Sequence, residues 1–278
     1  MFRNNTESAI RLLQDLTGIP RCRLSTILED TEDHYRTWSR RKPSGKIRML
    51  CVPSRELAKM QRDIARKLLW TLPIANAAHG FLSGRSTLTH ARIHAGKRVV
   101  VTLDLVDFFP SCTYGVVMDG LTSAGLPTAL CRIVLNVCTF RGSLPQGAPT
   151  SPMLSNITFS TFDRRLHTYA RLAGADYSRY ADDLAFSFRD DVPRDDIDAF
   201  IGDVGLTLGS VFRINHDKTR IMRSGTRQVV TGLVVNACGT LAARVPREIR
   251  RKFRAEQHRG VANPGMAAYL EMVHGKRK

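Results

Sequence analysis

Three aspartates in this chain could together hold metal ions. Asp182 and Asp183 are adjacent in the tetrapeptide Tyr-Ala-Asp-Asp at 180–183, and Asp104 ends a separate apolar run. Carboxylates brought this close repel one another and take up protons unless cations neutralise them. Two Mg²⁺ ions roughly 3.5–4 Å apart, with Mn²⁺ as a substitute, would neutralise them and would activate an attacking oxygen in nucleotidyl transfer. An Asp-Asp pair is also ordinary turn chemistry, so the tetrapeptide alone leaves both interpretations open.

The segments around these carboxylates predict extended backbone. The β-branched run from Val99 to Leu103 is typical of a buried strand and would deliver Asp104 at its end. After Asp183, the segment 184–188 alternates large apolar and small residues, which predicts a second strand. Asp182 and Asp183 are therefore expected at the turn of a strand-turn-strand hairpin.

Composition indicates a partner that is a polyanion. The chain has 278 residues, a formal charge of +17 and a pI near 10.3. Such a charge favours nucleic acid and predicts an affinity that falls as salt rises. No apolar stretch approaches the roughly 18 residues of a membrane span, and the polar N-terminus lacks an apolar signal core, so we expect a cytoplasmic protein without membrane contact. The six cysteines have no metal-ligand spacing and are expected to be reduced.

Five further elements are predicted from local patterns. Residues 40–50 form a basic hairpin around Pro-Ser-Gly, and apolar residues at helical spacing predict a helix over 57–68 with a basic exterior. A second helix begins at Thr150 or Ser151, where a capping hydroxyl precedes Pro152. Residues 210–215, Ser-Val-Phe-Arg-Ile-Asn, predict a strand, and residues 246–254 predict a basic helix suited to contact with a duplex backbone.

The order of several motifs resembles the reverse transcriptase family along essentially the whole chain. The segments that carry the resemblance are Gly84-Arg85-Ser86, Leu103-Asp104-Leu105-Val106-Asp107-Phe108-Phe109, Leu144-Pro145-Gln146-Gly147-Ala148-Pro149-Thr150-Ser151-Pro152, Tyr180-Ala181-Asp182-Asp183 and His216-Asp217-Lys218-Thr219. The resemblance implies that Asp104, Asp182 and Asp183 hold the metals.

The resemblance also implies roles for basic residues. Arg48 and Lys46 match the fingertip that closes over the incoming triphosphate, although a solvated basic hairpin is the alternative for both. Lys218 resembles the lysine that protonates the pyrophosphate leaving group. The alternative for Lys218 is a surface lysine without a catalytic role.

A further set matches the deoxynucleotide pocket. Phe109 aligns with the steric gate that collides with a ribose 2′-oxygen, and Phe108 beside it is the alternative, since either ring could face the sugar. The backbones of Asp107 and Phe108 would lie under the triphosphate. Gln146 would line the dNTP pocket, and Gly147 permits close approach of the backbone to a base pair or sugar.

Two elements resemble the signatures of retron reverse transcriptases. His90-Ala91-Arg92-Ile93-His94 matches Asn-Ala-x-x-His except that His90 replaces the asparagine, and Val230-Thr231-Gly232 matches Val-Thr-Gly. The resemblance implies that these residues recognise RNA, assisted by Arg250 and Arg251 of the basic C-terminal helix. A strand that ends in a turn is the alternative for Val-Thr-Gly.

The expected fold is α+β, a right-hand polymerase with fingers, a palm built on a small antiparallel sheet, and a short helical thumb. The expected division is 1–98 for fingers and N-terminal region, 99–238 for the palm with a fingers-side insertion, and 239–278 for the thumb. The expected function is RNA-directed synthesis of DNA from dNTPs on a structured non-coding RNA.

By resemblance, synthesis would be primed from a guanosine 2′-hydroxyl and would give branched RNA–DNA (msDNA) used in anti-phage defence. The partners would be the RNA–DNA duplex, an effector protein and a host RNase H. The alternatives are a reverse transcriptase of the group II intron or diversity-generating type, and a nucleic-acid-bound scaffold that restrains a defence effector.

Overall fold

A computed structural model describes residues 2–41, 45, 47–236, 243–259 and 263–274. The described helices are α1 (Phe2–Thr17), α2 (Arg21–Glu29), α3 (Arg55–Lys67), α4 (Thr87–Ile93), α5 (Phe108–Ser111), α6 (Tyr114–Ser123), α7 (Thr128–Cys138), α8 (Ser151–Leu172), α9 (Arg194–Leu208), α10 (Arg247–His258) and α11 (Pro264–His274). The described strands are β1 (Tyr35–Arg41), β2 (Ile47–Pro53), β3 (Val99–Asp104), β4 (Ala175–Tyr180), β5 (Asp183–Phe188), β6 (Arg220–Arg223), β7 (Val229–Val230) and β8 (Leu233–Val234).

The chain divides into two compact units. The first unit comprises Met1–Ala75, Val106–Phe162 and Ser210–Phe212, and the second comprises Asn76–Leu105, Asp163–Gly209 and Arg213–Lys278. None of the helices in the described part of the chain is long and apolar enough to cross a membrane.

The first unit is mainly helical, and its core is built on the predicted apolar stripe of α3. Leu57, Met60 and Ile64 are fully buried, because residues three and four apart lie on one face of a helix. The Ser54 side chain accepts a hydrogen bond from the Leu57 amide and so caps this helix. Helices α1 and α7 pack against α3.

A two-stranded ribbon also belongs to the first unit. Strands β1 and β2 are antiparallel, with Trp38 opposite Leu50 and Arg40 opposite Arg48. This confirms the basic hairpin that the sequence predicts, while Lys46 and most of the turn lie outside the described residues.

The second unit is built on a four-stranded antiparallel sheet with the order β4-β5-β3-β6. Helix α4 packs against β4, and the short pair β7-β8 contributes to the core through Val230 and Leu233. Helix α9 covers the sheet through Phe200, whose ring lies 5.1 Å from that of Phe186 in β5. The small antiparallel sheet of the predicted fold is confirmed.

One local prediction is wrong. Residues 210–215 do not form a strand; Phe212 is buried among the aromatic rings of the first unit, whereas Ile214 makes a single bridge to Leu105 in the second. The boundary between the two units falls between these two residues. In α10, Phe253 is buried and Ile249 is 40% exposed. The three-part division into fingers, palm and thumb stays a prediction.

Candidate active site

Strand pairing brings two of the three aspartates together. In the antiparallel pair β3–β5, Asp104 is the register partner of Asp183. The buried Val99, Val100 and Val101 hold β3 in the core, and Asp104 at its end is partly exposed. The sequence-predicted strand that delivers Asp104 is thereby confirmed.

The third aspartate lies in the turn between β4 and β5. Tyr180 pairs with Asp183, leaving Ala181 and Asp182 as a two-residue loop, and Ala181 has a positive φ of 55°. Positive φ is what a tight hairpin requires of its turn. The Leu105 amide donates a hydrogen bond of 3.1 Å to the Asp182 carbonyl, which ties the loop to the residue after Asp104.

Burial and charge repulsion both act on Asp183. Burial is the largest cause of its raised pKa, the neighbouring carboxylates of Asp182 and Asp104 add to this effect, Lys218 opposes it, and together they bring the pKa to about 7. A carboxyl that is costly to ionise in this way becomes fully charged when a cation is nearby. The site therefore has the electrostatics of a cation-binding centre.

Lys218 places a positive charge beside Asp104. Its Nζ lies 2.8 Å from Oδ1 and 3.0 Å from Oδ2 of Asp104, and the hydrogen bond to Asp104 is the main reason why the pKa of Lys218 is raised. Asn215 donates from its backbone amide to the Asp104 carbonyl at 2.7 Å and from Nδ2 to Oδ2 at 3.2 Å. Sequence reasoning missed Asn215, which it placed in a strand.

The donor set fits a divalent metal. Carboxylate oxygens are the ligands that Mg²⁺ and Mn²⁺ prefer, and Asp104, Asp182 and Asp183 would hold the ion. Among the described residues no group of three Asp, Glu, His or Cys side chains is already gathered in metal-ligand geometry. Both oxygens of Asp104 are engaged by Lys218, so a metal on Asp104 would compete with this ion pair.

A buried ion pair, which sequence reasoning also missed, supports the turn. Arg179 and Asp163 are both fully buried, with NH2 of Arg179 2.7 Å from Oδ2 of Asp163. NH1 of Arg179 donates to the Ala181 carbonyl at 3.0 Å, and the Tyr177 hydroxyl donates to Asp163 at 2.8 Å. The guanidinium thus fixes the residue that precedes Asp182. An arginine and an aspartate 16 positions apart leave no local sequence signal for such a pair.

The two retron-like elements lie side by side in the second unit. Nδ1 of His90 is 3.1 Å from Oγ1 of Thr231, and Thr231 has a positive φ of 44°. A pocket of about 270 Å³ is lined by His90, Thr231 and Gly232 together with Asp104 and Asp183. The residues of the second element therefore border the same space as two of the predicted metal ligands.

The histidines themselves are internal. His94 is fully buried, with Nδ1 2.7 Å from the Ser187 hydroxyl and Nε2 2.8 Å from the Ser178 hydroxyl. Burial lowers the pKa of His90 to about 3 and that of His94 well below its usual value, so both rings are neutral. His94 thus positions β4 and β5, and any effect of either histidine on RNA would be transmitted through such contacts. RNA recognition by this element stays a prediction.

The predicted nucleotide-binding residues belong to the first unit. Arg48 is exposed on β2. The Gln146 carbonyl accepts a hydrogen bond of 2.8 Å from the Cys51 amide, and a Cβ on Gly147, whose φ is 120°, would lie 3.1 Å from the Cys51 carbonyl. The Gln146-Gly147 turn is therefore attached to the same strand that carries Arg48.

The two candidate gate residues differ in burial. Phe108 is 3% exposed and packs against Phe159 and Phe212, with centroids 5.8 and 5.7 Å away. Phe109 is partly exposed, and Asp107 beside the pair is exposed with a positive φ of 45°. The burial of Phe108 favours Phe109 as the sugar gate, and this assignment stays a prediction.

The predicted basic helix corresponds to α10, and Pro246 occupies its N-cap position. Arg251 is exposed and Arg250 is partly buried, with its Nε lacking a hydrogen-bond partner among the described atoms. Their contact with RNA stays a prediction.

Comparison with known proteins identifies the family. Residues 40–254 match the family model described as reverse transcriptase (RNA-dependent DNA polymerase). The chain is 39% identical to the retron Mx162 reverse transcriptase of Myxococcus xanthus, covering 88% of this chain and 59% of the relative. It is 31% identical to the retron Ec86 reverse transcriptase of Escherichia coli, covering 99% of this chain and 85% of the relative.

Solved structures agree on the fold alone. Apo telomerase from Candida tropicalis gives a TM-score of 0.52 at 11% identity over 76% of this chain and 47% of that chain. Telomerase from Candida albicans, in complex with a TWJ fragment of telomeric RNA, gives a TM-score of 0.51 at 14% identity. This match covers 73% of this chain and 45% of that chain. The chain spans about three fifths of the two Myxococcus xanthus relatives, 59% of Mx162 and 60% of Mx65. By sequence it belongs to the reverse transcriptase family, and within it to the retron type.

Proposed function

We propose that this protein is an RNA-directed DNA polymerase of the retron type. The observation that carries the proposal is the pairing of Asp104 with Asp183 across β3 and β5, with Asp182 in the adjoining turn and Lys218 bonded to Asp104. Carboxylates gathered in this way could hold the divalent ions on which metal-assisted nucleotidyl transfer depends. Family membership supports the same activity.

The ions would be two Mg²⁺, with Mn²⁺ as a substitute, and when bound they would supply charge stabilisation at the attacking and leaving oxygens. Asp104, Asp182 and Asp183 would hold them. Lys218 carries its proton at Nζ, since its pKa is raised, and would give that proton to the departing pyrophosphate. Its 60% exposed side chain can turn from Asp104 towards solvent and substrate.

The residues of the first unit would select and hold the dNTP. Arg48, together with Lys46, would bind the triphosphate, and Phe109 would exclude a ribose 2′-oxygen. Gln146 and Gly147 would line the pocket. The support for these roles is the exposure of Arg48, the partial exposure of Phe109, and the hydrogen bond that attaches Gln146 to β2.

The template would be a structured non-coding RNA, with synthesis primed from a guanosine 2′-hydroxyl to give branched msDNA. The positions of Thr231 and Gly232 beside Asp104 and Asp183 support a role in holding RNA near the reacting atoms. The exposed cations of α10, Arg251 among them, would contact the duplex backbone. The protein would act in the cytoplasm in anti-phage defence, with an effector protein and a host RNase H as partners.

The test is incorporation of dNTPs on a primed RNA template with Mg²⁺. Asp183→Asn should abolish incorporation while RNA affinity stays within about three-fold, because the basic surface supplies affinity separately. Asp190→Asn is the matched control, since this carboxylate is exposed beyond the other end of β5. Full polymerisation by Asp183→Asn, or an inactive parent with folded structure and cognate RNA present, would refute the proposal.

A further inference from the structure

We propose that Phe81 is a binding residue for the RNA–DNA hybrid, and that its ring contacts the sugars of the duplex next to the reacting pair. The inference rests on the proposed function, since it assumes that the carboxylates of the second unit act on a hybrid. It concerns the segment 76–85, whose residues are not among those that sequence patterns assign to catalysis.

The backbone of Phe81 is strained. Its φ is 62°, in the left-handed region that bulky side chains rarely adopt. Glycine would take this conformation without penalty, yet the chain carries a large ring here. Strain of this kind persists where surrounding structure imposes it, and it is found most often at functional sites.

The surrounding contacts do impose it. The His79 amide donates to the Arg179 carbonyl at 2.7 Å, so the turn is bonded to β4 just before Tyr180. A Cβ on Gly80 would lie 2.8 Å from the Ala181 nitrogen, which means that the two backbones are in direct contact. On the other side of the turn, Arg85 donates to the Asn76 carbonyl at 2.6 Å and also to the Ala78 carbonyl. The turn therefore cannot relax without disturbing the Asp-Asp hairpin.

The Phe81 ring is exposed beside the turn that carries Asp182. The residue is 43% exposed, and its ring centroid lies 6.4 Å from that of Tyr180. Tyr180 is the register partner of Asp183. A single exposed apolar side chain is ordinary, but an exposed ring held in a strained conformation beside a metal-ligating carboxylate calls for a ligand.

The chemistry of the ring selects the part of the duplex that it would contact. An uncharged phenyl offers nothing to a phosphate, whereas the C–H faces of sugars are apolar. A hybrid with A-like geometry has a wide, shallow minor groove in which sugars are accessible. A duplex whose growing end lies at Asp104 and Asp183 must pass this edge, so Phe81 would pack into its shallow groove.

Three substitutions separate binding from strain. Phe81→Gly removes both the ring and the strain, Phe81→Ala removes the ring but retains a side chain at positive φ, and Phe81→Tyr retains the ring. Leu206→Ala is the matched control, since it removes another exposed apolar side chain, 79% exposed, from α9 of the same unit. Two quantities are measured. The first is the apparent Tm, and the second is the Kd for a short RNA–DNA hybrid, obtained from fluorescence anisotropy in the absence of dNTP.

We expect Phe81→Gly to raise Tm by about 2–4 °C and yet to raise the Kd for hybrid roughly 5- to 20-fold, by loss of an aromatic contact. Phe81→Ala should raise Kd equally without the gain in Tm, while Phe81→Tyr and Leu206→Ala should bind as the parent does. Unchanged hybrid affinity in both ring-less variants would overturn the proposal, as would a lower Tm for Phe81→Gly. Since binding is measured without synthesis, an inactive parent would refute the polymerase proposal and leave this result interpretable.

Discussion

Nδ1 of His90 lies 3.1 Å from Oγ1 of Thr231, although 141 positions separate the two residues along the chain. The contact joins the two elements by which the sequence resembles retron enzymes. Thr231 has a positive φ, which is unfavourable for a β-branched residue, so the bond to His90 helps to hold the Val-Thr-Gly turn. His90 replaces the asparagine of the pattern, and any effect of its side chain on RNA would therefore be transmitted through Thr231.

This contact predicts a template-dependent defect. His90→Ala and Thr231→Val should each lower synthesis on the cognate structured RNA roughly five- to ten-fold, since one partly buried hydrogen bond is lost. Both variants should spare extension of an ordinary primed template. His90→Asn should retain most activity, because an amide can also bond the Thr231 hydroxyl. The measurement is initial rate on both templates.

Thr168→Val is the control, because it removes an exposed threonine hydroxyl from α8. His94→Ala should instead reduce activity on both templates, since it breaks two buried hydrogen bonds between α4, β4 and β5. If the initial rates of His90→Ala and Thr231→Val fall equally on both templates, the pair supports folding or catalysis rather than RNA recognition.

The difference in burial between Phe108 and Phe109 predicts separate phenotypes. Phe109→Ala should admit ribonucleotides that the parent rejects, because a steric collision is removed. Phe108→Ala should keep the preference for dNTPs but lose roughly 3–5 kcal/mol of stability, as is usual for a buried phenylalanine. Single-turnover incorporation with dNTP and NTP, together with denaturant unfolding, distinguishes them. Parental discrimination in Phe109→Ala would exclude this ring as the gate.

The buried pair of Asp163 and Arg179 predicts strong coupling. Asp163→Leu or Arg179→Met alone should cost about 3–5 kcal/mol, because each leaves a buried charge unpaired. The double variant should recover much of the lost stability. Its rate of dNTP incorporation should stay low, because the bond from Arg179 to the Ala181 carbonyl is absent from it. Unfolding and single-turnover rates of all four proteins form a double-mutant cycle. Additive losses of stability would contradict the coupling.

Burial of neutral histidines predicts sensitivity to acid. The pKa of His90 is lowered from 6.5 to about 3 in the folded protein, so between these values the unfolded chain binds more protons. Stability from this group is therefore complete above pH 6.5 and declines as pH falls, by up to about 1.4 kcal/mol per pH unit.

The measurement is apparent Tm between pH 6.5 and 4.5 for the parent and for His90→Asn, which lacks the titrating group. We expect a shallower decline in the variant, although His79 and His94, whose pKa values are also lowered by burial, will retain part of it. Equal slopes would mean that His90 does not remain neutral in the folded protein.

Local pattern was sufficient for the elements that carry the catalytic carboxylates. The β-branched run before Asp104 and the alternation after Asp183 each specify extended backbone within a few residues, and the structure has strands at both places. The stripe of α3 is equally local, because helical spacing alone decides which side chains share a face. The order of the motifs along the chain is typical of the reverse transcriptase family.

Tertiary structure decided the contacts between distant segments. The register of Asp104 against Asp183, the ion pair of Asp163 with Arg179, and the bond of His90 to Thr231 depend on which elements pack together, and nothing in the neighbouring residues specifies those partners. The same holds for residues 210–215, where Phe212 packs against Phe159 in the first unit and the predicted strand does not form. The positive φ of Phe81 lies next to another such contact, the close approach of Gly80 to the Ala181 backbone, which local propensity cannot reveal.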